Sequence, residues 1–159
     1  TAARTAQLSI HSAWEGEDGG MEIPDGYELH MAAPSAGDFA MLRREAGLSP
    51  VTPEQASIAV AGGWAAAHVT QEGAAVGMGR LIGDGGWMFQ VTDMAVHPQH
   101  QRQGLGDAIL TRLLQEIADR APAGAYVSLM ADPPGRRLYA RHGFQDRHDV
   151  SAGMFCRMP

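Results

Sequence analysis

The stretch richest in possible chemistry runs Val91-Thr92-Asp93-Met94-Ala95-Val96-His97-Pro98-Gln99-His100-Gln101-Arg102-Gln103-Gly104-Leu105-Gly106. Its first part alternates as a strand does, Pro98 breaks it, and a polar loop leads through two glycines into a helix. Glycine lets backbone come close to a ligand, and a helix start presents unpaired N–H groups at the positive end of its dipole. Together they suit a pyrophosphate. A dinucleotide-binding turn of the GxGxxG kind fits poorly, because its third glycine would fall at Ile109 and Pro98 lengthens the loop before the first. The plainer alternative is a helix entry with glycines in its turn and no ligand.

What can supply charge to such a site is restricted. The chain has 159 residues, and its twelve cationic side chains are all arginine. Without lysine there is no Walker-type P-loop and no Schiff-base chemistry with pyridoxal. A phosphate must therefore be held by backbone and arginine, and Arg102 stands at the right place. Cys156 is the single cysteine, so an intramolecular disulfide and a CxxC site are both excluded. It is expected to be packing in a terminal apolar strand rather than a nucleophile. The seven histidines include no HxxxH or HExxH pair, and no metal site is expected. A formal charge of −6 argues against a nucleic-acid partner. No apolar run is long enough to span a membrane, and the first residues lack an apolar signal core. The expectation is a soluble cytoplasmic protein.

The elements that would position these residues follow from periodicity and punctuation. Residues 1–25, polar and rich in glycine and acid, read as a flexible N-terminal extension, and residues 26–159 as a single domain. Tyr27 to Met31 alternates as a strand. Pro34-Ser35 opens a helix carrying Phe39, Leu42 and Ala46, which Gly47 ends. Thr52-Pro53-Glu54 opens a second, running to about Ala61. Trp64–Val69, Ala74–Ile82 and Trp87–Val96 read as an antiparallel meander, because short glycine-bearing turns separate them. An amphipathic helix follows from Gly104 to Arg120, with Leu105, Ile109, Leu113, Leu114 and Ile117 on one stripe. Ala125–Met130 reads as a strand and Pro134–His142 as a short helix. Gly143-Phe144 and Gly153–Met158 read as two last strands. The class is α+β with a mixed sheet.

With that order in place, Met94-Ala95-Val96-His97-Pro98 and Gln101-Arg102-Gln103-Gly104-Leu105-Gly106 resemble motif A of the GNAT superfamily of acetyl-CoA-dependent N-acetyltransferases. Gln101, Gly104 and Gly106 meet its Q/R-x-x-G-x-G/A pattern. Leu138-Tyr139-Ala140-Arg141-His142-Gly143-Phe144 resembles the family's FYxxxGF segment, one helix and one strand further on. Gly77-Met78-Gly79-Arg80 and Gly83-Asp84-Gly85 are similar to a group of small bacterial members of mostly unassigned substrate. The likeness covers about residues 27 to 159.

The resemblance implies a central, mostly antiparallel seven-stranded sheet, splayed between strands 4 and 5, with about four helices. It implies acetyl-CoA as co-substrate in the splay. Met94, Ala95 and Val96 would pair with the pantetheine arm, and Arg102, Gln103, Gly104, Leu105, Gly106 and Asp107 would wrap the pyrophosphate. Asp107 has its own reason to be there, since an acid in the first helical turn stabilises the helix. A backbone N–H near Met94 or Ala95, exposed where the strand bulges, would polarise the thioester carbonyl. Tyr139 stands where the family places the acid that protonates the departing thiolate, and a phenol of pKa about 10 suits that task.

The base stays open. Asp93 either orients or deprotonates the amine, or it satisfies backbone donors beside the bulge. His97 and His100 are further candidates. Gln90 stands where histone-type members carry a glutamate, and an amide accepts no useful proton. Among Arg136, Arg137 and Arg141, one could reach the 3′-phosphate of coenzyme A.

The acceptor expected is a small primary amine, in a pocket between the first two helices, the turn at Asp84 and the sheet. Trp64, Trp87, Met88 and Phe89 are its candidate lining, though half of that alternating set must face the core. Acceptors of another kind are protein N-terminal amino groups. A function of another class is a non-catalytic acyl-CoA-binding regulatory module, for which Tyr139 and Asp93 would serve no purpose. A homodimer is a further expectation.

Overall fold

A computed structural model of the chain describes residues 23–154 and 156–158. Of the extension expected over residues 1–25, residues 1–22 lie outside the described part. The described residues form two units, up to Leu129 and from Met130 onward, and each is taken by itself.

In the first unit the order is β1 (Tyr27–His30), α1 (Ala36–Glu45), α2 (Pro53–Gly62), β2 (Ala65–Gln71), β3 (Ala74–Gly83) and β4 (Met88–Val96). A 3₁₀ turn at Pro98–His100, α3 (Leu105–Arg120) and β5 (Tyr126–Leu129) complete it. The helix starts obey their caps. Ser35 Oγ accepts from the Asp38 N–H at 3.0 Å. Thr52 and Gln55 close a reciprocal box, at 3.1 Å and 2.9 Å, with Pro53 in the first turn. Such a cap contributes about 1 kcal/mol.

The sheet runs β1-β2-β3-β4-β5, antiparallel through β4, with β5 parallel to β4 after the α3 crossover. On one face Phe39 and Leu42 of α1 and Ala56 of α2 bury against Ala75, Met78 and Ala95. On the other, α3 buries Leu105, Ile109, Leu113, Leu114 and Ile117, the stripe read from the sequence. Gly79 makes that second packing possible. A Cβ there would run into Met94 Sδ and come within 2.9 Å of Ile109 Cγ2 and 3.0 Å of Leu113 Cδ1.

Two features of β4 matter for the site. Its pairing with β3 shifts between Met78↔Ala95 and Arg80↔Thr92, so Asp93 and Met94 together oppose Gly79. Asp93 takes φ +56°, which makes this a β-bulge. Second, β5 pairs with β4 only over Met88–Val91, while β4 continues to Val96. The sheet therefore parts between strands 4 and 5.

The second unit holds a 3₁₀ turn at Pro133–Gly135 and α4 (Arg136–Arg141). The four α-helices among the described residues match the expectation, and the mixed α+β class holds. The sheet has five strands among the described residues rather than seven. Gly143 and Phe144 do not start a strand, because their N–H groups turn back to the carbonyls of Ala140 and Tyr139, both at 3.1 Å, and end α4. The described residues of 153–158 are exposed and form no strand. Cys156 is therefore exposed rather than packed in a terminal strand, a correction to the sequence reading.

Candidate active site

The bulge decides what β4 presents. Directly opposed residues in a sheet share a face, so Thr92 lies on the face of Arg80, and Gln90 on the face of Ile82. Arg80 belongs to the α1–α2 face, with its guanidinium 5.5 Å from the Phe39 ring centroid and Nη1 donating to Ala59 O at 2.6 Å. The extra residue keeps Asp93 on this face too. Arg80 Nε donates to Asp93 Oδ2 at 2.7 Å, and Arg43 Nη1 donates to Oδ1. Both carboxylate oxygens are thus engaged.

Beyond Val96 the chain makes the loop. Gln101 Nε2 donates to Val96 O at 2.9 Å, and the backbone turns through Arg102 at φ +62° and Gly104 at φ +83°. Gly104 is the N-cap of α3 and, as a glycine, brings no capping side chain of its own. The first-turn N–H groups are therefore directed at whatever lies before the helix, which is the arrangement that binds phosphate. Asp107 is buried in that first turn. The loop is tied down from β1: Tyr27 donates its hydroxyl to Gln103 Oε1 at 2.9 Å and lies 2.9 Å from His100 Nδ1. With the hydroxyl proton given to Gln103, the His100 ring is the donor to Tyr27. His97 is likewise occupied, its Nδ1 accepting from the Gln99 N–H at 3.3 Å.

One step along the sheet from Arg80 and Thr92, the row of Ile82, Gln90 and Ser128 borders a cavity of about 250 Å³. Gly83, Met88 and Phe89 complete its lining, which carries no charge. Of the lining set expected there, Met88 and Phe89 border the cavity, whereas Trp64 packs edge to face on Phe89 at 4.8 Å, with Arg120 of α3 over the Trp64 ring at 4.1 Å. Trp87 and Met88 are exposed. Asp84 is a turn builder: Oδ1 accepts from the N–H groups of Gly86, Trp87 and Met88. Those donors hold its carboxyl below the ordinary aspartate range.

In the second unit, Tyr139 sits partly buried on α4, its ring edge to face with Phe144 at 6.1 Å. Burial first, and the Asp132 carboxylate second, raise the phenol above its ordinary 10.0. Arg136, Arg137 and Arg141 are exposed on the same helix. Among the described residues no group of three His, Cys, Asp or Glu side chains is placed to hold a metal.

Met94 through Asp107 thus lie in one continuous bulge, edge and helix start. The residues to which the sequence reading assigned no role in the site are Arg43, Arg80 and Tyr27. Arg43 and Asp93 are 50 positions apart, and no spacing rule connects them.

The family model for the acetyltransferase (GNAT) domain matches residues 63–146. An uncharacterized N-acetyltransferase of Pyropia yezoensis, ycf52, is 31% identical over 80 residues, which is 50% of this chain and 45% of that protein. The chloroplastic GCN5-related N-acetyltransferase 2 of Arabidopsis thaliana is 32% identical over 85 residues, 54% of this chain and 32% of that protein. The chain spans less than half the length of these relatives. The crystal structure of a Staphylococcus aureus protein of unknown function, SA2161, aligns with a TM-score of 0.80 at 33% identity, covering 83% of this chain and 99% of that one. Matched by family model, by sequence and by fold, the chain belongs to the GNAT superfamily of N-acetyltransferases.

Proposed function

We propose that the chain moves an acetyl group from acetyl-CoA directly to the primary amine of a small molecule. The observation that carries this reading is the continuity of three features on one segment. A bulge at Asp93–Met94, a β4 edge that outruns β5, and an α3 start capped by Gly104 follow one another along it. That geometry fits an extended thioester cofactor with a pyrophosphate at one end. The free edge at Met94, Ala95 and Val96 would take the pantetheine arm as a further strand takes its neighbour. Backbone N–H groups of Arg102 to Asp107 would hold the pyrophosphate, with the Arg102 guanidinium adding charge.

Acetyl-CoA, when bound, supplies the activated acyl group as a thioester. The chain has three tasks around it. The peptide N–H at the bulge donates to the oxygen on which charge develops as the amine attacks. The amine nitrogen forms its bond to carbon as the carbon–sulfur bond breaks, and the sulfur keeps the electron pair. Tyr139 Oη then gives its proton to that sulfur, a role helped by a phenol that stays protonated beyond pH 10.0. The amine proton leaves to solvent. Asp93, with both oxygens engaged by arginines, serves this scheme by position rather than as the acceptor of that proton.

The cavity at Ile82, Met88, Gln90 and Ser128 supports a small, largely uncharged acceptor body. The test is release of free thiol from acetyl-CoA across a panel of aryl-, alkyl- and peptidyl amines. Amine-dependent release with small amines supports the reading. Release only with peptides bearing a free N-terminus replaces the acceptor. Binding of acetyl-CoA without release for any amine replaces it with a binding module.

A further inference from the structure

A single carboxylate held by two guanidinium groups, with little of any of the three exposed, is a costly arrangement for stability alone. Side-chain exposure is 5% for Asp93, 15% for Arg43 and 11% for Arg80. Apolar residues of similar volume commonly stabilise a fold as well or better. The three groups also join separate elements. Arg43, from α1, donates through Nε and Nη2 to Ser49 O, at 2.9 Å and 2.8 Å, and through Nη1 to Asp93. Arg80, from β3, donates through Nη1 to Ala59 O near the end of α2 and through Nε to Asp93. Each guanidinium spans two acceptors, which its planar fork allows and an ammonium does not. The residue they converge on is the one non-glycine of β4 held at positive φ, +56°. Aspartate tolerates that conformation better than most residues, but still at a cost.

We propose that Arg43 and Arg80 are positioning residues for acetyl transfer. By fixing Asp93 in the left-handed conformation they hold the β4 bulge, and the bulge sets the direction of the Met94 peptide N–H group, while Ala95 is paired with Met78 of β3. This inference rests on the acetyl-transfer reading above and assigns to that site residues that touch neither reactant. α1 and α2 thereby become braces of the oxyanion donor, joined to it through charge.

The experiment compares Arg43→Met, Arg80→Met, Asp93→Ala, Arg43→Lys, Arg80→Lys and the double variant Arg80→Met/Asp93→Ala with the unaltered chain. It measures kcat, the amine KM, acetyl-CoA affinity and the melting midpoint. The methionine variants are expected to lower kcat by about 10- to 100-fold, the scale of a misplaced reacting geometry, with amine KM and acetyl-CoA affinity little changed. The double variant is expected to be no slower than Arg80→Met, because the pair acts as one unit. The lysine variants keep the cation beside the buried carboxylate, so they carry the test if a methionine variant does not fold. They are expected to recover part of the lost kcat. Variants that melt earlier but keep the original kcat would overturn the proposal, as would strictly additive losses in the double variant. An unaltered chain that turns over no amine at all overturns the acetyl-transfer reading instead, and the two failures are told apart by that control.

Discussion

The hydroxyl of Tyr27 donates to Gln103 Oε1 at 2.9 Å, joining the first strand to the loop before α3 across 76 positions. His100 Nδ1 meets the same oxygen at 2.9 Å. One phenol therefore anchors the loop at two points, His100 and Gln103, at the entry to the segment whose backbone is proposed to hold pyrophosphate. Replacing Tyr27 with phenylalanine keeps the ring and removes that oxygen. A hydrogen bond contributes about 1 kcal/mol net, so acetyl-CoA affinity is expected to fall by roughly 5- to 10-fold. The turnover number at saturation should be little altered. Calorimetric titration with acetyl-CoA, beside steady-state rates, checks both parts.

Tyr139→Phe is expected to do the opposite. The ring and its edge-to-face contact with Phe144 survive, so the fold and acetyl-CoA affinity should hold while kcat falls by about 10²-fold or more. The pH dependence follows from the direction of the shift. Burial and Asp132 raise the phenol above 10.0, so the acid form persists through the neutral range and is lost only above that value. An alkaline fall in kcat lying above pH 10.0 in the unaltered chain should vanish in Tyr139→Phe. A variant with undiminished kcat removes Tyr139 from the mechanism.

Gly104→Ala probes the helix start. Nothing lies within 4 Å of the added Cβ, so the cost is conformational, at φ +83°. A non-glycine residue in that region costs about 1–2 kcal/mol, and relief of the strain would turn the first-turn N–H groups away. The rise in melting midpoint produced by saturating acetyl-CoA is expected to shrink in the variant. An unchanged rise would remove the glycine turn from the binding site.

Gly79→Ala tests the packing behind the bulge. The new methyl meets Met94, Ile109 and Leu113 in the buried layer between β3 and α3. Overpacking of this kind costs about 1–3 kcal/mol. Chemical denaturation should show that loss. Because Met94 is the residue displaced, kcat is expected to fall with it.

Much of the fold was legible because its signals are local. Thr52-Pro53 and Ser35 mark helix starts, the stripe from Leu105 to Ile117 has helical period, and short glycine turns separate the three meander strands. Met94 through Asp107 were legible as a site for the same reason: a strand, a break and a glycine turn occur in sequence. The unread parts depend on contacts between distant residues. Nothing near Arg43 or Arg80 announces that both meet Asp93, and the bulge beside Asp93 was expected from the resemblance alone, since an alternating strand does not mark it. Phe144 was read as strand because of its type, whereas its N–H closes the end of α4. Trp64 was expected among the pocket lining, whereas it packs against Phe89 beneath Arg120 of α3.

The claim that joins these parts is that the acetyl group passes from thioester to amine. The direct measurement uses acetyl-CoA labelled in its acetyl group, a reactive small amine from the panel and the unaltered chain. It follows free thiol and labelled amide in the same reaction. The account predicts that the two rise together in equal amounts, and only when amine and protein are both present. Labelled acetate with no labelled amide, or no thiol release with any amine despite bound acetyl-CoA, would contradict it.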